Sequence, residues 1–504
     1  MKNLKLIAVL LALFLAGCTD SIDLTEDITK EQEKLMSKEE IDNIVLESLR
    51  QNGEFDWSSV DNRTLWSAAV HGGGLMNIGY QPESEGDISG RMADIDINAR
   101  SWTIARNAVI DLALDVVNQV NDEAITRDDL NVESHEVLPF IDIKLLDIEA
   151  IRELRSMANV RYIEPLGYEA DFINANQSGR ELSGSGCGAN NADNSIPSSD
   201  YTLISPYAKA SWNYGYAGIT SAWSYSTGRG ITVGLIDTGV SSSQSRLGSS
   251  FNSGYSSGRF IQKYGFYKGD GSNDKCGHGT SMAGVIASPR TNNGVPVGVA
   301  YNANLVSARG TSDVVVNSSS EKTGVANSLT YLGNRSDVKI ISMSIGDVFS
   351  SGKVKDAIRY ANGRGKLIFA AAGTSTSFTN WFGVIFPANM SETVAVTGIK
   401  EQSSYKRCDI CHSGRKVDFS IIMERNGSKN HPLTLAQSGD TPSTVGGSSV
   451  ATATAAGIAA LVWARHPSWN KTQVLNKLKQ SSALYPSKSS SYGYGTINAY
   501  NAVR

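Results

Sequence analysis

The sequence predicts an α/β protein: a three-layer, doubly wound, mostly parallel sheet with helices on both faces, preceded by a small α+β domain. Three observations carry the prediction. Beyond residue 202, short apolar and β-branched runs alternate with helical stretches, the pattern of strand-helix-strand units. Residues 138–165 read as one strand, one helix and a second strand. Between these regions lies a stretch rich in Gly, Ser and Asn, SGRELSGSGCGANNADNS, which is linker chemistry and exposed to cleavage.

The chain begins MKNLKLIAVLLALFLAGC, with Lys2 and Lys5 ahead of an apolar run, Leu6 to Leu15. The run is too short to span a bilayer comfortably and reads as an export signal, residues 1–17. Leu15-Ala16-Gly17-Cys18 resembles the lipobox of bacterial lipoproteins. That resemblance implies cleavage before Cys18, lipid on its thiol and a membrane anchor. Thr19 follows in place of Asp, as in outer-membrane sorting patterns. The expected location is therefore exported and lipid-anchored to a bacterial membrane. No later stretch is read as a transmembrane helix.

Residues 18–60 are polar and acidic and read as a tether, with a helix over Lys38–Arg50. Residues 61–165 form the α+β region, although 61–100 show no clear period. Trp102 to Val120 predicts a helix with Ile110, Leu112, Leu114 and Val117 in the core. Pro139 to Leu146 predicts a strand, and Ile148, Ile151, Leu154 and Met157 share one helical stripe. Val160 to Ile163 predicts the second strand, ending in an extended Tyr-Ile-Glu-Pro. Residues 166–204 are the linker, and 205–504 the α/β domain. Its strands are read in GITVGLIDTGV (230–240), ANLVSARG, VKIISMSIG and KLIFAAAG. SMAGVIAS and KVKDAIRYANGRG supply helices. VGGSSVATATAAGIAAL (445–461) reads as a buried helix with a polar start.

The 504 residues are 40% hydrophobic and 19% charged, with net charge −4, which fits a protein with a large core and gives no sign of a nucleic-acid partner. The charge is split. Residues 19–180 hold 33 acidic against 14 basic side chains, and residues 181–504 hold 17 against 30. Two halves of opposite sign are expected to attract. With Cys18 lipidated, Cys187, Cys276, Cys408 and Cys411 remain. An even number in an exported chain predicts two disulfides, with three pairings open.

Asp237 ends the first strand of the α/β domain, His278 precedes a small-residue helix, and Ser448 and Ser449 open a third element. Working residues of parallel sheets sit at the carboxyl ends of strands. An Asp, a His and a Ser at three element ends are the ingredients of nucleophilic acyl transfer, in which His takes the serine proton and Asp holds the imidazole.

The blocks GITVGLIDTGV, GHGTSMAGVIAS and GGSSVATATAAGIAAL resemble the three signature blocks of the subtilisin-like serine proteases, the subtilases. PVGVAYNANLVSARG, IISMSIG, FPANM and YGYGTINAYNAV resemble supporting blocks of that family, over about residues 205–504. The resemblance implies a membrane-anchored serine endopeptidase with a subtilisin-like fold, acting on polypeptides. It implies Asp237, His278 and Ser449 as catalytic residues, with Ser448 where Thr is usual and serving as scaffold. It implies Ser344, Ile345, Gly346, Ala371 and Gly373 as substrate-binding positions and the backbone N–H of Ser449 as an oxyanion donor. Residues 138–165 resemble the propeptide that subtilases use as chaperone and inhibitor. The protein is therefore expected to be a self-processing zymogen whose own propeptide is a partner, with Tyr162 to Pro165 near the cleft and autocleavage in the linker. No cofactor is needed for the chemistry.

Two departures stand out. Ala replaces the proline usual shortly after the serine, which only loosens the helix start. The oxyanion loop, Ala-Ala-Ala-Gly-Asn in the family, reads Ala370-Ala371-Ala372-Gly373-Thr374. A Thr hydroxyl is shorter than an Asn amide, so two readings stay open: a slower protease, or a weak or inactive binding protein on the same scaffold. Ser375 and Thr376 are alternative donors. CDICH (408–412) has the spacing of c-type haem attachment, but it stands alone, and a disulfide is the preferred reading over haem or zinc. DGSN at 270–273 hints at structural calcium without a ligand set. His71, His135, His431 and His466 have no functional context.

Overall fold

A computed structural model describes residues 34–120, 124–172, 186–188, 190–374, 383–401, 404–428 and 430–504. The front region contains helices α1 (Lys38–Asn52), α2 (Asn62–His71), α3 (Arg100–Val120) and α4 (Ile148–Ser156). Its strands are β1 (Leu75–Tyr80), β2 (Glu133–Ser134), β3 (Phe140–Lys144) and β4 (Val160–Pro165), ordered β2-β3-β1-β4 and paired antiparallel. The strand-helix-strand reading of 138–165 is met. Helix α1 starts at a capping box between Ser37 and Glu40, which satisfies two otherwise orphaned donors. It buries Ile41, Val45 and Leu49, so this stretch of the predicted tether is part of the packed core. In α3 the buried stripe is Trp102, Ala105, Val109, Ile110, Ala113, Val116 and Val117. Leu112 and Leu114, expected in the core, are only half-buried.

The back half opens with a hairpin, β5 (Tyr201–Ile204) and β6 (Ala208–Ser211). Its main strands are β7 (Thr232–Asp237), β8 (Ile261–Gly265), β9 (Asn304–Arg309), β10 (Val338–Met343), β11 (Leu367–Ala371), β12 (Thr393–Lys400) and β13 (Phe419–Glu424). They form one sheet, ordered β13-β12-β11-β10-β7-β9-β8 and parallel throughout. The chain builds out from β7 on one side through β8 and β9, then crosses to β10 on the other. Parallel sheets place their sites at such a switch point. Helices α5 (His278–Ala287), α6 (Ser319–Asn334), α7 (Gly352–Gly363) and α8 (Gly447–Arg465) pack around the sheet. By length and composition α8 meets the requirement for a membrane span, contrary to the sequence expectation, but it is almost wholly buried against the sheet and α5. It is a core helix, as its run of small apolar residues requires when backbones pack closely.

A continuous apolar core joins the two halves. Trp57 stacks on Phe349 with ring centroids 5.8 Å apart, and Phe55 meets Phe349 edge-on at 5.6 Å. Of Tyr162 to Pro165, expected near the cleft, Tyr162 and Glu164 meet Gly352 at the start of α7. Glu164 Oε2 accepts the Gly352 N–H at 2.7 Å, at the positive end of the helix dipole. Arg161 pairs with buried Asp356 at 2.6 Å, and Tyr162 donates to the same carboxylate at 3.1 Å. Asp142–Lys353 and Asp56–Lys355, at 2.5 and 2.7 Å, set front acids on back bases, the sense that the charge split predicts, whereas Arg161–Asp356 runs the other way.

Candidate active site

Asp237 closes β7 and is 1% exposed. Its Oδ1 accepts from His278 Nδ1–H at 2.8 Å and from the Thr238 backbone N–H at 2.8 Å. His278 opens α5, and the backbones of its loop and of Asp-Thr-Gly touch directly. A Cβ on Gly279 would lie 2.2 Å from the Gly239 carbonyl, so no larger residue fits. Burial pulls the His278 pKa down, and the charge and hydrogen bond of Asp237, with the charges of Asp274 and Asp313, outweigh it, leaving it above 6.5. Asp274 orders this loop. Its Oδ1 accepts from Thr238 Oγ1 and from the N–H groups of Cys276 and Gly277, and its Oδ2 from the N–H and hydroxyl of Thr280.

Ser449 lies in the first turn of α8 and is 4% exposed. Its hydroxyl donates to the Ser344 carbonyl at 3.4 Å, while Ser344 Oγ donates to the Ser449 carbonyl at 3.1 Å. His278 Nε2 has no hydrogen-bond partner among the described residues. The structure thus joins Asp237 to His278 and holds the Ser449 hydroxyl on the backbone beyond β10. Ser344, Ile345 and Gly346 follow β10, and Ala371, Gly373 and Thr374 end or follow the neighbouring β11. Ile345 is buried in the core. Gly346 already has its N–H on the Val314 carbonyl and its carbonyl on the Val316 N–H, both at 3.0 Å.

Both disulfides are formed, Cys187–Cys276 and Cys408–Cys411. The second consumes both thiols of CDICH and leaves none for haem or zinc. The first ties Cys187, within the linker, to the residue two before His278, and Asn190 Nδ2 donates to the Gly277 carbonyl at 2.7 Å. At the calcium candidate, 270–273, Asp270 pairs with Lys275 and Arg309, and among the described residues there is no group of three acids, histidines or cysteines that could hold a metal. Cys18, Ser375 and Thr376 lie outside the described residues.

Sequence reasoning missed His412. Its N–H donates to the Gly373 carbonyl at 2.9 Å, and its Nδ1–H donates to the Gly383 carbonyl at 2.9 Å. Gly373 has φ +123°, and a Cβ there would sit 2.5 Å from the His412 ring. Burial pulls the His412 pKa down to about 4, so its ring is neutral near pH 7. The only sequence signal was its place beside Cys-x-x-Cys.

A carboxylate joined to an imidazole, and a buried hydroxyl at the start of a helix, sit on a doubly wound parallel sheet, which makes this an α/β protein. Residues 228–495 match the Subtilase family (peptidase S8). The chain is 31% identical over 281 residues to an alkaline protease of Alkalihalobacillus alcalophilus, covering 55% of this chain and 65% of that protein. It is 30% identical to Subtilisin Savinase of Lederbergia lenta over 281 residues, 55% of this chain and 92% of the relative. Against Subtilisin E of Bacillus subtilis (strain 168) it is 30% identical over 362 residues, 71% of this chain and 79% of the relative. Among solved structures, MycP1 from Mycobacterium smegmatis aligns with TM-score 0.47 and 21% identity over 60% of this chain and 88% of that one. The chain belongs to the subtilase family.

Proposed function

We propose that the protein is a serine endopeptidase, with Ser449 as nucleophile, His278 as general base and acid, and Asp237 as the group that orients and charges the imidazole. The observation that carries this reading is the 2.8 Å bond from His278 Nδ1–H to buried Asp237. It fixes the tautomer and leaves the Nε2 lone pair free to take the serine proton. In the reactive state the Ser449 hydroxyl leaves the Ser344 carbonyl and donates to His278 Nε2. Attack on a peptide carbonyl then puts negative charge on its oxygen at the start of α8, where orphan N–H groups and the helix dipole favour an anion. His278 returns the proton to the leaving amine, and water hydrolyses the acyl-enzyme by the same route.

The protein is further proposed to be an exported zymogen, lipid-anchored at Cys18. Its front region serves as inhibitor and chaperone, and processing falls within residues 166–204. The pairing of Gly346 with Val314 and Val316 supports a latent state, since an extended substrate needs those backbone groups. Polypeptides are the substrates. The test is mass spectrometry of wild type and Ser449→Ala. Processing within 166–204 in wild type and none in the variant is expected; identical full-length species would overturn the reading. The second reading, a binding protein on the same scaffold, rests on Thr374. It is favoured if neither wild type nor Thr374→Asn turns over peptide.

A further inference from the structure

Two hydroxyls sit where the sequence offered one weak donor. Thr374 Oγ1 accepts the Ser448 N–H at 3.1 Å, and Ser448 Oγ accepts the Gly373 N–H at 3.2 Å. The two oxygens are 2.9 Å apart, within hydrogen-bond distance. Each oxygen therefore accepts one backbone N–H, and one of the two hydroxyl protons is shared between them. The remaining proton has no acceptor among the described residues. If Thr374 donates to Ser448, the free proton is on Ser448; if Ser448 donates to Thr374, it is on Thr374. Either arrangement leaves one donor, because a hydroxyl gives one proton and accepts through two lone pairs.

The location matters as much as the count. Thr374 follows β11, and Ser448 precedes Ser449 in the first turn of α8. Ser448 is fully buried, so its hydroxyl is held rather than dispersed into water. Three hydrogen bonds therefore fix a short relay beside the nucleophile, next to the N–H groups at the helix start. A fixed donor aimed where charge develops needs no reorganisation during reaction, which is where such groups are most effective.

We propose that Thr374 and Ser448 act together as one oxyanion donor, a two-hydroxyl relay standing in for an Asn amide. This assigns Ser448 a catalytic role rather than that of scaffold, and it rests on Ser449 being the nucleophile. The relay itself transfers no proton: the Ser449 proton goes to His278, the carbonyl π pair moves to oxygen, and the relay donates a hydrogen bond to that oxygen.

The relay has a distinctive signature. Removing either hydroxyl frees the proton of the other, so single losses are small and the double loss is large. The experiment measures kcat and KM on a fluorogenic peptide for the processed protein and for Ser449→Ala, Thr374→Val, Ser448→Ala, Thr374→Val/Ser448→Ala and Thr374→Ser, with melting curves to confirm folding. Each single loss is expected to lower kcat less than about 10-fold. The double variant is expected to lose about 10²–10³-fold at unchanged KM, the cost of removing one oxyanion donor from a subtilisin. Thr374→Ser, which keeps the hydroxyl, is expected to lose less than Thr374→Val.

Should the double variant unfold, the Thr374→Asn background decides. With the amide supplying the donor, Ser448→Ala lowers kcat less there than in the Thr background, and an equal or larger loss in the Asn background overturns the relay. Ser449-dependent turnover that survives the double substitution overturns the relay alone, as does a full loss from Thr374→Val by itself. Turnover that is absent, or that persists in Ser449→Ala, overturns the protease reading and the relay with it.

Discussion

Replacing Asp237 by Asn separates the charge of the acid from its geometry. Oδ1 accepts both the Thr238 N–H and the His278 Nδ1–H, while Oδ2 has no hydrogen-bond partner among the described residues. An Asn must keep its oxygen at the Oδ1 position, because the Thr238 N–H demands an acceptor. The imidazole then keeps its tautomer, and what is lost is the negative charge facing the imidazolium formed in the transition state. With charge centres roughly 4 Å apart and an effective dielectric of about 20, that attraction is about 4 kcal/mol, or about 10³-fold in kcat. The pH profile must move as well. His278 works as a neutral base, and its pKa lies above 6.5 because Asp237, Asp274 and Asp313 outweigh burial. Wild-type kcat/KM therefore rises with pH through that raised value. Without the Asp237 charge, burial gains the upper hand and the acid limb shifts to lower pH. The assay is kcat/KM of the processed protein from pH 5 to 9. A loss under about 10-fold, or an acid limb that stays in place, refutes the reasoning.

Three further perturbations follow from the same contacts. Cys187→Ser/Cys276→Ser opens a loop whose ends are 89 residues apart, worth about 4–5 kcal/mol on a chain-entropy estimate; denaturant unfolding of an inactive Ser449→Ala background reads it, and a change below about 1 kcal/mol contradicts it. Glu164 is wholly buried, and burial pushes its pKa from 4.5 up to about 7. A raised carboxyl stabilises the folded chain fully below its unfolded value and loses that contribution as pH rises through about 7. Glu164→Gln should therefore stabilise the full chain at pH 8 relative to pH 5, and a pH dependence matching the parent contradicts this. His412→Phe leaves the Gly383 carbonyl without its ring donor, costing about 1–3 kcal/mol, and lowers kcat through Gly373; His412→Asn should recover part of both, and an unchanged melting temperature in the Phe variant rules the contact unimportant.

What the sequence made legible was what local pattern carries. The β7 run ending at Asp237, the Gly-His-Gly before α5 and the Gly-Ser-Ser before α8 each combine an element end with small residues, which let Gly279 meet Gly239. What stayed hidden depends on distant partners. Strand β1 pairs with β3 and β4, more than sixty residues away, so 61–100 showed no period of their own. The α3 stripe was misplaced because its packed face is built of Ala105, Val109 and Ala113 rather than the larger Leu112 and Leu114. Thr374 looked like a lone deficit because Ser448, its hydrogen-bonded partner, is 74 residues along the chain. The two disulfides were predicted without their pairing, since spacing alone leaves three choices.

The central claim is that Ser449 is a nucleophile activated by His278. The most direct measurement is labelling of the purified protein with a fluorophosphonate probe, followed by peptide mapping of the adduct. Stoichiometric label on Ser449, abolished by Ser449→Ala and strongly slowed by His278→Ala, is expected. Labelling elsewhere, or a folded and processed protein that takes no label, would contradict it.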